Sequence, residues 1–105
     1  MISCKIFLSS LKLAPDSTPA FFQKLIIKEL ETEEDPNITF ITAQKITPDE
    51  CYIEVSCLKR PDRTHQKLQA LAIQLDESAR RYFQIEDPIR VRIIQIEEDS
   101  VYGVN

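Results

Sequence analysis

The sequence predicts an α+β fold in which two β-α-β units share one four-stranded mixed sheet and place both helices on one face. An internal repeat is the first observation behind this reading. Cys4-Lys5-Ile6-Phe7-Leu8-Ser9-Ser10-Leu11-Lys12 returns as Cys51-Tyr52-Ile53-Glu54-Val55-Ser56-Cys57-Leu58-Lys59, with Cys, Ile, Ser, Leu and Lys in step. Pro15-Asp16 returns as Pro61-Asp62, Gln23-Lys24-Leu25 as Gln66-Lys67-Leu68, and Glu34-Asp35-Pro36 as Glu86-Asp87-Pro88. The shared residues keep their order, so the chain reads as one domain of two repeats, 1–47 and 48–105. The second observation is hydrophobic period, which passes from two to 3.6 and back in each half. The third is proline placement. Pro15, Pro19, Pro36, Pro48, Pro61 and Pro88 all fall between periodic stretches, where a missing donor and a fixed φ do least harm.

Each element follows from its own residues. Residues 2–9 alternate, with Ile2, Cys4, Ile6 and Leu8 on one side, as in a half-buried strand. Thr18 is expected to cap a helix that has Pro19 at its first position and runs to about Thr32. That helix shows Phe22, Leu25, Ile26 and Leu30 on one side. Residues 37–46, rich in Ile, Thr and Phe, predict a strand. Residues 51–58 repeat the first strand, with Cys51, Ile53, Val55 and Cys57 inward. Leu68, Leu71, Ala72, Leu75, Ala79, Tyr82 and Phe83 then trace one helical stripe. Asp76–Arg80 and Glu77–Arg81 are expected to pair across one turn of that helix. Residues 89–96 close the pattern with Ile89, Val91 and Ile93 on one face, and residues 101–104 suggest a short terminal strand around Gly103. Right-handed crossovers make the pairing parallel within each half. The core is expected to hold Ile6, Ile53, Leu71, Leu75, Val91 and Ile93. The helix-free sheet face then carries Lys5, Phe7, Ile41, Tyr52, Glu54, Arg90, Arg92 and Ile94, and its apolar members predict contact with another subunit.

Bulk properties exclude several functions. A net charge of −4 is poorly suited to nucleic acid or an anionic membrane, both of which require clustered Lys and Arg. No apolar run approaches the roughly 18 residues that span a bilayer, and Met1-Ile2-Ser3-Cys4-Lys5 lacks the zones of a signal peptide. The three cysteines lack metal or redox spacing, so Cys4, Cys51 and Cys57 are expected in the core of a cytoplasmic protein. His65 is the only histidine, without a partner at recognisable spacing, and is expected at the surface. No metal and no cofactor are expected.

Several stretches point further. Ile53-Glu54-Val55-Ser56-Cys57-Leu58-Lys59-Arg60, a polar turn and Gln66-Lys67-Leu68 have the form of a strand, an Arg-bearing turn and a helix start. Pro15-Asp16, Phe21-Phe22-Gln23-Lys24-Leu25 and the ending Gly103-Val104-Asn105 accompany them. In this order, and with the repeat, they resemble the tautomerase superfamily, which includes 4-oxalocrotonate tautomerase and macrophage migration inhibitory factor. The resemblance implies a homotrimer and a pocket for a small carboxylate. It also implies a general base, in those enzymes an N-terminal proline freed by removal of Met. Here Ile2 follows Met1, and Met is normally retained before so large a residue. The chain then offers the primary amine of Met1, which lacks a proline ring's fixed placement. Where the cytokine-type members carry a pocket lysine, this chain has the acidic Glu34-Asp35-Pro36. Their pocket Tyr and Asn correspond to Arg92 and Ile94.

Candidate site residues are therefore Met1 and Ile2 at the catalytic position and Lys12, Lys59, Arg60 and Arg63 for binding a carboxylate. Arg is suited to that task because it can bind bidentately. The two lysines also read simply as solvated strand ends. Three functions stay open: a non-catalytic oligomeric protein that binds small molecules or proteins, an active keto–enol tautomerase using the Met1 amine or another base, and a ferredoxin-like binding module. Sheet pairing separates the last from the first two.

Overall fold

The computed structural model describes residues 1–9, 18–43, 51–100 and 102–103. Strand β1 (Ile2–Ser9), helix α1 (Thr18–Leu30) and strand β2 (Asn37–Ala43) form the first half. Strand β3 (Cys51–Leu58), helix α2 (His65–Phe83) and strand β4 (Ile89–Ile96) form the second, followed by a 3₁₀ turn at Glu98–Ser100. The sheet order is β2-β1-β3-β4. β1 and β2 are parallel, β3 and β4 are parallel, and the halves join through antiparallel β1 and β3. Parallel pairing inside each half rules out the ferredoxin-like arrangement. At the junction Ile6 faces Ile53, which occupies the same place in the second copy of the repeated segment. The two halves thus meet about a local two-fold axis at that pair.

The core lies between the sheet and the two helices. Alternation buries Ile2, Cys4, Ile6 and Leu8 of β1 and Cys51, Ile53, Val55 and Cys57 of β3. Phe22, Ile26 and Leu30 of α1 and Leu71, Leu75, Ala79 and Phe83 of α2 close over them. Phe22 lies 6.2 Å from Phe83 and 6.4 Å from Phe40, which ties both helices to β2. Val91 and Ile93 point to this core but stay half-buried, because β4 is an edge strand and has a neighbour on one side only.

Several boundaries differ from the expectation. α1 stops at Leu30, because Glu31 turns into the left-handed region at φ 51°. Gln84 ends α2 in the same way at φ 52°. Thr64 caps α2, its side chain accepting from the Lys67 amide at 3.3 Å. Thr18 caps nothing: it is buried and its Oγ1 has no hydrogen-bond partner. Asp76 and Arg80 pair at 3.0 Å, whereas Glu77 and Arg81 form no pair among the described residues. Tyr102 and Gly103 are not in a strand; the rest of the expected terminal strand, and residues 44–46 of the expected second strand, lie outside the described residues. No helix among the described residues is long and apolar enough to cross a membrane.

Candidate functional site: a carboxylate held by three cations

Register places the start of the chain beside the end of β3. Ile2 faces Cys57, so Met1 lies near the turn that follows Leu58. That turn closes with the Arg63 amide donating to the Arg60 carbonyl at 3.0 Å. It folds the Arg63 side chain inward until only 2% of it is exposed. There Nη1 of Arg63 donates to the Leu58 carbonyl at 2.6 Å, giving the part-buried end of β3 a hydrogen-bond partner.

The loop after α1 brings Glu34 to the same place. Its amide donates to Thr32 Oγ1 at 3.1 Å, and Gln23 Nε2 of α1 holds the next turn through the Pro36 carbonyl at 2.9 Å. The carboxylate then meets three positive groups. Oε2 accepts from the Met1 ammonium at 2.8 Å. Oε1 lies 2.9 Å from Arg60 Nη2 and 3.6 Å from Arg63 Nη2. The hydrogen bond from the Met1 ammonium, reinforced by the charges of Met1, Arg60 and Arg63, holds the Glu34 carboxyl below its ordinary range, against a smaller opposing effect of burial. Cys57 lies behind the cluster. Burial pushes its thiol up, and the nearby Arg63 and Met1 charges only partly counter this, so Cys57 is not a ready thiolate.

The structure thus gathers three of the expected residues, Met1, Arg60 and Arg63. It does not gather the others. Ile2 is a core side chain, 1% exposed. Lys59 points away to Glu97 at 3.5 Å, with both side chains exposed, and so leaves the expected carboxylate clamp. Arg92 and Ile94 sit on the open sheet face, Arg92 level with Glu54 and Ile94 with Ser56. Lys12 lies outside the described residues. Glu34, which the resemblance marks only as an acidic residue where relatives carry a lysine, is the hub. Its one signal was position, two residues before Pro36, where the resemblance places a lysine. Among the described residues no group of His, Cys, Asp and Glu is arranged to hold a metal.

Chemically, the cluster is one carboxylate of the chain engaged by three of its own cations. The Met1 nitrogen is thereby engaged with Glu34 at 2.8 Å.

No family model matches this sequence, and no curated protein matches it. Solved structures do match its fold. A macrophage migration inhibitory factor-like protein from Entamoeba histolytica superposes with a TM-score of 0.77 at 10% identity, covering 99% of this chain and 95% of that one. Pt0534 inactivated by 2-oxo-3-pentynoate superposes at 0.76 with 12% identity, covering 94% and 89%. A wild-type fused 4-OT, a symmetric trimer, superposes at 0.72 with 13% identity, covering 97% and 90%. The chain has the fold of macrophage migration inhibitory factor and the fused tautomerases.

Proposed function

We propose that this chain is a tautomerase-fold protein without tautomerase chemistry, acting as an oligomeric binder of small carboxylates. The observation that carries the reading is the Met1 ammonium, which spends itself on Glu34 at 2.8 Å. Glu34 in turn engages Arg60 and Arg63. A general base needs a free lone pair within reach of the carbon acid, and a salt-bridged ammonium does not supply one. The same three cations are suited to a carboxylate that displaces Glu34, with Arg60 as the exposed arm and Arg63 as the buried one. Assembly as a homotrimer accords with the symmetric trimer of the fused 4-OT. It also accords with the open sheet face, where Ile41, Phe7 and Tyr52 lie side by side on adjacent strands. We place the protein in a reducing compartment such as the cytoplasm, because its three buried cysteines are free thiols. We also take residues 1–47 and 48–105 to be two copies of one unit.

The test is chemical. Pt0534 is inactivated by 2-oxo-3-pentynoate, an alkynone that captures unprotonated amines by conjugate addition. Incubated with it at neutral pH, the wild-type protein should show no N-terminal adduct by intact mass, and no measurable phenylpyruvate turnover. Ile2→Pro with Met1 removed is the informative variant, and it should gain both if the surroundings still bind the ketoacid. Rapid turnover by the unmodified protein, abolished by blocking its amino terminus, would overturn the reading in favour of an enzyme using the Met1 amine.

A further inference from the structure

A second set of cations lies on the opposite layer of the molecule, outside the cluster around Glu34. α1 and α2 leave a groove between them of about 340 Å³, within the lower range of small-molecule sites. Phe21 and Leu25 of α1 form its apolar part, and Lys24, Lys28 and Arg81 stand around it. Glu29 is the one acidic side chain lining it, so the groove is net positive in a chain of net charge −4. None of the three cations has an ion-pair partner among the described residues. Their neighbours on the same helical layer do: Lys67 reaches Glu31 at 3.5 Å and Arg80 reaches Asp76 at 3.0 Å. Arg81 is the telling case, because Glu77 is available one turn away and is not used.

A second observation is independent of charge. Ser78 also lines the groove; it is 1% exposed, and its Oγ has no hydrogen-bond partner. A buried hydroxyl left unsatisfied has lost its hydration with no bond in return. A buried helical serine commonly bonds to a carbonyl in the preceding turn, and this one does not. Together these features describe a site with one apolar wall, one unsatisfied donor and an unpaired positive rim.

We propose that the α1–α2 groove binds a compact amphipathic anion, an aryl or short acyl sulfonate, phosphate or carboxylate. Its hydrocarbon part packs on Phe21 and Leu25, its anionic group lies among Lys24, Lys28 and Arg81, and the Ser78 hydroxyl donates to one of its oxygens. The site faces away from the sheet surface assigned above to assembly, so an oligomer leaves it open.

The experiment is an amide-resolved NMR titration of the intact protein with 2-naphthalenesulfonate, alongside neutral 2-naphthylmethanol and inorganic sulfate. Shifts should centre on residues 21–29 and 74–81 with the aryl sulfonate and be much weaker with either half-probe. Lys24→Gln combined with Lys28→Gln should weaken binding roughly ten-fold, the scale of a lost charge-assisted contact. Ser78→Ala separates binding from packing: it should leave the fold as stable or more so while weakening the anion. Three results would each overturn the proposal: no shifts, equal binding of 2-naphthylmethanol, or shifts centred on residues 31–36 and 58–63. Wild-type affinity in the lysine and serine variants would overturn it as well.

Discussion

Arg63 is nearly fully buried, donates to the Leu58 carbonyl at 2.6 Å and lies 3.6 Å from Glu34. Arg63→Ala strands that carbonyl and removes the inner arm of the cluster, so unfolding in urea should show a loss of about 1–3 kcal/mol. Glu34→Gln should cost less, because the carboxylate is partly solvated and water screens its pairs. Its larger effect is on pH dependence. Glu34 is held below its ordinary value of 4.5 in the folded protein. A depressed folded value means the stabilisation is whole above 4.5 and is lost as pH falls through the folded value. Stability measured from pH 6 downward should therefore decline less steeply in Glu34→Gln than in the wild type, and parallel curves would show that Glu34 is not the titrating group. The cysteines give a further check. Burial, with the nearby Cys51 as a smaller contribution, pushes the Cys4 thiol up to about 12. Cys51 and Cys57 are also buried. Iodoacetamide at pH 8 should leave all three unmodified in the native protein, and mass spectrometry should find labelling only under denaturing conditions.

At the scale of elements, α2 is the best-specified segment, and Leu75 sits where its stripe meets the sheet, fully buried. Leu75→Ala should cost roughly 2–5 kcal/mol by denaturant titration; a loss below about 1 kcal/mol would mean that the helix does not pack through that face. Helix ends are less well served. Gly103 is the only glycine in the chain, so both helices stop on left-handed residues that carry a side chain, Glu31 and Gln84. Glu31 is also a negative charge at a helix C-terminus, where the dipole disfavours it. Its pairing with Lys67, at 3.5 Å and on an exposed carboxylate, gives little back. Glu31→Gly should therefore stabilise the protein, by about 1 kcal/mol, visible as a higher denaturation midpoint.

For the whole molecule, the proposed assembly rests on the open sheet face. Phe7 and Tyr52 lie on neighbouring strands with ring centroids 5.5 Å apart. Ile41 flanks Phe7, and Arg90 lies on the other side of Tyr52. A charge placed in the middle of that row should oppose any subunit that covers it. Light scattering with in-line chromatography should report a trimer at micromolar concentration for the wild type and smaller species for Phe7→Glu, with the far-ultraviolet spectrum unchanged. A monomeric wild type would remove the proposed assembly.

Periodicity and the repeat were sufficient for the architecture, because burial acts on local patterns. Strand alternation of the Ile2–Leu8 kind, the α2 stripe and prolines at the joints each restrict backbone and exposure within a few residues. Within each half the β-α-β connection then sets its two strands parallel. The helix ends were not legible, since no glycine marks them and the left-handed turns at Glu31 and Gln84 come from how the following segments return to the sheet. Nor was the Glu34 cluster. Arg60 and Arg63 stood out as charges beside a turn, but their partner lies far away in sequence and is brought near only by the loop after α1. Lys24, Lys28 and Arg81, without ion-pair partners among the described residues, come around one groove only once the helices are set side by side. Local pattern in the sequence alone was enough for strands, helices and core. Which charges meet depends on through-space distance, which only the tertiary fold decides.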